Sequence, residues 1–431
     1  MRKSVACFIL VLALIFVLVL VSACGRGQNA EHEPTSDVPD DVLYEEAVDF
    51  YEPEPAPPVP LSRPTNHIKT ILAHDEHTIS GRLVMPAGDE PVEKLVIYVP
   101  GSGINTMLNR HYLPDIGHVN YIDFWVDNLV AEGVAFFSYN QRGVGLSGMS
   151  PYYTLNHWYW TYLPHNSVLD VYHIINALVE HERLADAAVL LLGMSEGTVI
   201  SPLVAEEFPH LVDGLFLMGT PISGMYDILR WQNAGYGSMV WFHYHFDADD
   251  YGRISQEAFN ADPHGVVDTV LMGSDFHELD TNGDGYIDIL DIQMQLDEID
   301  RGPEYTQELL FRIEIDDRDW VWANYPVRLS PGWFRYHFAL RPNYQVLPEL
   351  NLPIYIFHGR LDQNAYVGRV YDMYDRFAEL GRTNLTVQTF AAHDHGLNGW
   401  DWFLEGQMSE GRQAVLDAII EFTVVPWTYF E

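Results

Sequence analysis

The chain has 431 residues, 48% hydrophobic and 13% aromatic, which is ample for a core and long for one domain; one large unit carrying an insertion, or two units, is expected. A net charge of −38, from 61 Asp and Glu against 23 Lys and Arg, argues against a nucleic-acid partner, because phosphate neutralisation needs clustered cations. The two cysteines, Cys7 and Cys24, leave no disulfide framework, since Cys7 falls in an apolar leader. The acidity is local: ten carboxylates and no Lys or Arg lie between Glu31 and Glu54, and fifteen against Arg253 alone lie between Asp247 and Asp300.

Arg2-Lys3, an apolar run from Val5 to Val21, and then Val21-Ser22-Ala23-Cys24 read as an export signal over residues 1–24. Small residues before a cysteine resemble the lipobox of bacterial lipoproteins, and that resemblance implies lipidation of Cys24. The folded part is then expected outside the cytoplasm, anchored to the cell membrane by its lipid. The plainer alternative, an uncleaved anchor, leaves it on the same side. Residues 25–64 are acidic and carry Pro53, Pro55, Pro57, Pro58 and Pro60, the composition of an extended, self-repelling linker.

From about residue 66, strands alternate with helices. Strands are expected at 78–85, 95–99, 134–139, 187–192, 215–218, 354–357 and 386–390. Helices are expected at 121–132, 167–179, 197–208, 371–380 and 411–422. This alternation predicts an α/β fold with a mostly parallel sheet covered on both faces. Its first part spans 65–220 and its second 345–431, with an insertion at 221–344.

Gly193-Met194-Ser195-Glu196-Gly197 follows an apolar strand and opens a helix, the context of a nucleophile elbow. A serine hydroxyl needs a base to take its proton and an acid to orient that base. Asp362, in His358-Gly359-Arg360-Leu361-Asp362, follows the strand at 354–357. His395, in His393-Asp394-His395-Gly396, follows the strand at 386–390. His393 competes with His395 for the role of base. Two backbone N–H groups are expected to hold an oxyanion: that of Glu196, and that of Ser102 in Pro100-Gly101-Ser102-Gly103.

These motifs, with Tyr139-Asn140-Gln141-Arg142-Gly143-Val144-Gly145-Leu146-Ser147, stand in the order seen in α/β-hydrolases. Over 66–220 and 345–431 the chain resembles the serine esterase, acyl hydrolase and serine-aminopeptidase-like branch of that superfamily. Asn140 and Met194 depart from the Asp and His common there, and the resemblance implies a structural, bracing role for Arg142. It also implies the α/β-hydrolase fold, an insertion acting as a largely helical lid, and hydrolysis of a carboxylic ester through Ser195, His395 and Asp362. Two alternatives stay open: a serine aminopeptidase on the same residues, or a calcium-dependent binding module on an inactive scaffold.

Within the insertion, residues 280–291 resemble an EF-hand calcium loop. Oxygen donors stand at Asp280, Asn282 and Asp284, a turn glycine at Gly285, a carbonyl donor at Tyr286, and a carboxylate at Asp291 where Glu is usual. Helices are expected on either side, over 266–279 and 289–299. A second loop begins 33 residues earlier, at Asp247 (280 − 247). It keeps Asp249, Gly252, Ile254 and Ser255 but has Tyr251 and Ala258 at ligand positions, so an EF-hand-like pair over 247–300 with a degenerate first loop is expected. The resemblance implies structural Ca²⁺ and no cofactor for the chemistry. The aromatic residues of the insertion, Trp231 to Tyr336, are expected to form mostly its own core.

Overall fold

A computed structural model describes residues 64–424 except 115, 148–152 and 300. The leader, Cys24 and the linker to residue 63 lie outside the described residues. In chain order the main elements are β1 (Thr65–Leu72), β2 (Thr78–Met85), β3 (Lys94–Val99), α1 (Asp123–Ala131), β4 (Ala135–Tyr139), α2 (Pro164–Val179), β5 (Ala188–Met194), α3 (Gly197–Glu207) and β6 (Gly214–Met218). The inserted segment carries α4 (Met225–Asn233), α5 (Tyr236–His245), α6 (Ile289–Glu298), α7 (Pro303–Glu314) and α8 (Pro331–Ala339). The chain closes with β7 (Ile354–Gly359), α9 (Val367–Glu379), β8 (Leu385–Phe390) and α10 (Glu410–Ile420).

The eight strands form one sheet in the order β1-β2-β4-β3-β5-β6-β7-β8. β2 runs antiparallel to both neighbours, and every pair from β4 to β8 is parallel. Parallel strands covered on both faces need apolar side chains on both, and β5 (Ala-Val-Leu-Leu-Leu-Gly-Met) is buried from Ala188 to Gly193. The two-residue period sorts β3 between two cores. Leu95, Ile97 and Val99 join Val171, Ile174, Ile200, Val204, Val370 and Phe377 on the α2–α3–α9 face. Val96 and Tyr98 join Trp125, Leu129, Val415 and Ile419 on the α1–α10 face.

β1 escaped the sequence reading because it is an edge strand with mostly exposed side chains, including Ile68 and Leu72. α2 starts three residues before the expected Ser167, with Pro164 supplying the preset φ of a first helical position. α9 starts at Val367 rather than Tyr371, which brings Val370 into the core.

The inserted segment takes part in two further apolar clusters, the first of them wholly its own. One gathers Phe242, Phe246, Ile254, Phe259, Phe276, Ile287 and Ile292. The other joins Leu309, Ile313, Val321, Trp333 and Phe334 to Tyr159 and Tyr162, which belong to the segment between β4 and α2. The helix expected over 266–279 is instead two short turns, Val266–Thr269 and Phe276–Leu279. Between them Met272 and Gly273 adopt φ of 55° and 72°, which a right-handed helix cannot hold.

Candidate active site

β5 delivers Ser195 to a turn so sharp that its φ is +53°, a left-handed conformation costing a non-glycine residue roughly 1–2 kcal/mol. The turn persists because its surroundings over-determine it: Ser195 N–H donates to the Met218 carbonyl at 3.0 Å, and its own carbonyl accepts Thr198 N–H at 2.9 Å. Side chains at the flanking glycines are excluded. A Cβ on Gly193 would lie 2.6 Å from the Gly197 carbonyl oxygen, and one on Gly197 would overlap the Val99 carbonyl. The Ser195 hydroxyl makes no hydrogen bond among the described residues.

The loops after β7 and β8 bring Asp362 and His395 together. Nδ1 of His395 and Oδ2 of Asp362 are 2.8 Å apart, and Oδ1 accepts the N–H groups of Asn364 and Ala365 at 2.8 and 2.9 Å. Both side chains are buried. Burial pushes the Asp362 carboxyl up, but the adjoining imidazoles and these donors outweigh it and leave the group below the usual carboxylate range. Burial likewise opposes charge on His395, yet the Asp362 carboxylate prevails and holds the imidazole above its ordinary value. His393 points elsewhere: Nε2 accepts Gly411 N–H at 3.1 Å, and burial pushes its pKa down.

The Gly101–Ser102 peptide passes directly against the serine. A Cβ on Gly101 would lie 3.1 Å from Cβ and 3.7 Å from Oγ of Ser195. The Gly101 carbonyl accepts Asn105 Nδ2 at 2.9 Å and Gln141 Nε2 at 3.1 Å. A planar trans peptide points its N–H opposite to its C=O, so these amides aim the Ser102 N–H away from themselves. Among the described residues, neither Ser102 nor Glu196 donates its backbone N–H to the protein. Nothing in the sequence reading assigned a task to Asn105 or Gln141; the Gln141-Arg142-Gly143 run was the only available signal.

The Glu196 side chain also went unforeseen. It is 2% exposed, and Oε1 accepts Trp333 Nε1 at 2.9 Å and His337 Nε2 at 2.8 Å from α8, while Oε2 accepts the Tyr162 hydroxyl. The residue following the serine therefore docks the inserted segment onto the sheet. A second contact reaches the acid loop, where Gln232 of α4 donates to the Asn364 carbonyl at 2.8 Å. Arg142 is buried between Asp170, whose Oδ2 accepts its Nε at 3.0 Å, and Asp75, at 2.6 Å from Nη1.

In the inserted segment, the loops starting at Asp247 and Asp280 lie side by side, with Ile254 and Ser255 pairing antiparallel to Ile287 and Tyr286. Asp280 accepts the N–H of Asp284 at 3.1 Å and of Gly285 at 3.0 Å, and Asn282 accepts Asp284 N–H at 2.8 Å. Asp284 accepts Tyr286 N–H at 3.0 Å, and Asp291 accepts those of Asn282 and Asp288 at 3.0 and 2.9 Å. Burial pushes the Asp291 carboxyl up. The loop thus gathers oxygen donors of the hard type that calcium takes. Its carboxylates are turned onto amides, and no group of three or more His, Cys, Asp or Glu is set to hold a metal among the described residues. In the first loop Arg253 places its guanidinium on Asp249, at 3.0 and 2.8 Å, and 4.1 Å from the centre of the Tyr286 ring. A fixed side-chain cation thus neutralises one of that loop's carboxylates.

This strand order, with a serine at a strand-to-helix elbow and an Asp–His pair on later loops, is the α/β-hydrolase fold. Residues 105–253 match the family described as alpha/beta hydrolase fold. Similar solved structures include a thermostable carboxyl esterase from Bacillus coagulans (13% identity, 83% of this chain and 97% of that one, TM-score 0.46). Est1E from Butyrivibrio proteoclasticus is similar at 13% identity, over 82% of this chain and 96% of that one, with a TM-score of 0.44. The esterase EaEST from Exiguobacterium antarcticum follows at 14% identity, over 81% of this chain and 97% of that one, with a TM-score of 0.41. No curated protein matches the chain.

Proposed function

We propose that the protein is a serine hydrolase that cleaves carboxylic esters through an acyl-enzyme on Ser195. The observation carrying this reading is the His395–Asp362 pair, buried on the loops beyond the strand that holds the strained Ser195. Ser195 Oγ attacks the ester carbonyl while His395 Nε2 takes its proton. Asp362 holds the opposite ring nitrogen and offsets the imidazolium charge. The N–H groups of Glu196 and Ser102 stabilise the tetrahedral oxyanion. His395 then returns the proton to the departing alcohol, and water releases the acid by the same steps. An aminopeptidase would need a free carboxylate for the substrate's amino terminus; Glu196 is not that group, because it already serves Tyr162, Trp333 and His337.

The test is labelling by a fluorophosphonate probe together with turnover of an aryl ester series, alongside amino-acid amides. Ser195→Ala is expected to abolish labelling and lower kcat by about 10⁴-fold or more. A Ser195→Ala protein with normal turnover refutes the proposal, and a wild-type protein that resists the probe favours a binding module.

The reading extends to two further features. Residues 280–291 are proposed to hold a structural Ca²⁺ through Asp280, Asn282, Asp284, the Tyr286 carbonyl and Asp291, stiffening the inserted segment as a lid without entering the chemistry. Cys24 is proposed to carry a lipid that tethers the enzyme by residues 25–64 to the outer side of a cell membrane. A Cys24→Ser chain released from the membrane fraction supports the tether; one retained there refutes it.

A further inference from the structure

His358 takes no part in the steps above, yet it lies against their acid. Its ring is completely buried at the end of β7. Nδ1 accepts the Thr220 N–H at 3.2 Å, so the ring's single proton sits on Nε2. That N–H donates to the Ala365 carbonyl at 2.8 Å, and Nε2 lies 3.2 Å from Oδ2 of Asp362. The same Oδ2 accepts His395 Nδ1–H at 2.8 Å, so one carboxylate oxygen faces two imidazoles. The segment preceding Thr220 also touches the second ring: a Cβ on Gly219 would lie 2.7 Å from His395 Nδ1.

The two rings are not equivalent. Charging His358 would put a second proton on Nδ1, against the Thr220 N–H, and burial pushes its pKa down. It therefore stays neutral and turns the positive edge of its ring toward Oδ2. His395 Nδ1 meets the carboxylate alone, and that ring is free to charge. The titratable groups facing this pair are Asp362, from the β7 loop, and Asp394, from the β8 loop.

We propose that His358 is a positioning residue of the catalytic acid: it clamps the loop from Asp362 to Ala365 and moderates the carboxylate's hold on the His395 proton. This rests on the roles given to Ser195, His395 and Asp362 above. Without the His358 N–H, Oδ2 carries more of its charge toward His395, and the imidazolium is held more tightly.

The experiment is an NMR titration of ¹⁵N-histidine-labelled protein, assigned with His358 and His395 variants, run beside the pH profile of kcat/KM. In His358→Asn the shorter amide meets the Thr220 N–H and leaves the Nε2 position empty. The His395 midpoint is expected to rise by about 0.5 pH unit or more, and the acid limb to move with it. His358→Gln, which restores an N–H near that position, is expected to reverse most of the rise. A folded His358→Asn protein whose His395 midpoint stays within about 0.2 unit of wild type overturns the proposal. A second readout needs no variant: wild-type His358 is expected to keep the neutral Nε2–H pattern through the pH range in which His395 charges, and its charging in step with His395 overturns the proposal equally. The titration uses no substrate, so a failed ester reading shows separately, as absent turnover with the titration intact.

Discussion

Replacing Glu196 by alanine tests how the inserted segment is held to the sheet. The side chain is 2% exposed and satisfies three buried donors, from Tyr162, Trp333 and His337. A buried donor left without a partner costs about 1–3 kcal/mol, so Glu196→Ala is expected to lose about 3–6 kcal/mol after partial relaxation. Glu196→Gln behaves differently. Its carbonyl oxygen can replace Oε1 for Trp333 and His337, and its amide faces Tyr162, whose hydroxyl can turn to accept. A loss of about 1 kcal/mol is expected. Urea unfolding followed by tryptophan fluorescence measures both. A Glu196→Ala protein within about 1 kcal/mol of wild type refutes the reasoning, as does a Glu196→Gln protein equally unstable to Glu196→Ala.

Asn105→Ala and Gln141→Ala each free the Gly101 carbonyl from one amide and loosen the aim of the Ser102 N–H. Each is expected to lower kcat about 10- to 100-fold with little change in KM, and steady-state kinetics showing a KM effect alone would count against it. His395 must be neutral to accept the serine proton, and Asp362 holds its pKa above 6.5, so kcat/KM is expected to fall as pH drops through a midpoint above 6.5. A pH–rate profile with its acid limb below that value contradicts the pairing. Calcium is expected to raise the melting temperature of the wild type, with a gain of about 2.7 kcal/mol at 100 times Kd. Calorimetry of Asp284→Ala should show that gain lost and ester turnover largely kept. Isothermal titration should find one site, because Arg253 already sits on Asp249 in the other loop, and two strong equivalent sites would contradict that role.

The central strands were legible because a buried parallel strand must be apolar on both faces, as β5 is. β1 was not: Thr-Asn-His-Ile-Lys-Thr-Ile-Leu lies at an edge, where one row of backbone groups and most side chains face outward, so no apolar pattern marks it. The broken helix before Asp280 escaped for a related reason, since apolar spacing over 266–279 does not reveal left-handed residues at its centre.

At the candidate site, chemistry could name residues but not choose among neighbours. Glycines on either side of Ser195 are a local steric demand, and the elbow could be read from those five residues together with the apolar strand before them and the helix after them. The Gly396-Leu397 that follows favours His395 over His393 in sequence, but which ring meets Asp362 depends on how two loops from different strands lie against each other, and there His395 faces the carboxylate while His393 faces Gly411. The same holds for Glu196, whose partners stand 34, 137 and 141 residues away. Local backbone sterics and apolar periodicity are written in short stretches of sequence. The pairing of buried polar groups is settled only when packing removes water and each donor must take whatever acceptor the fold has placed beside it.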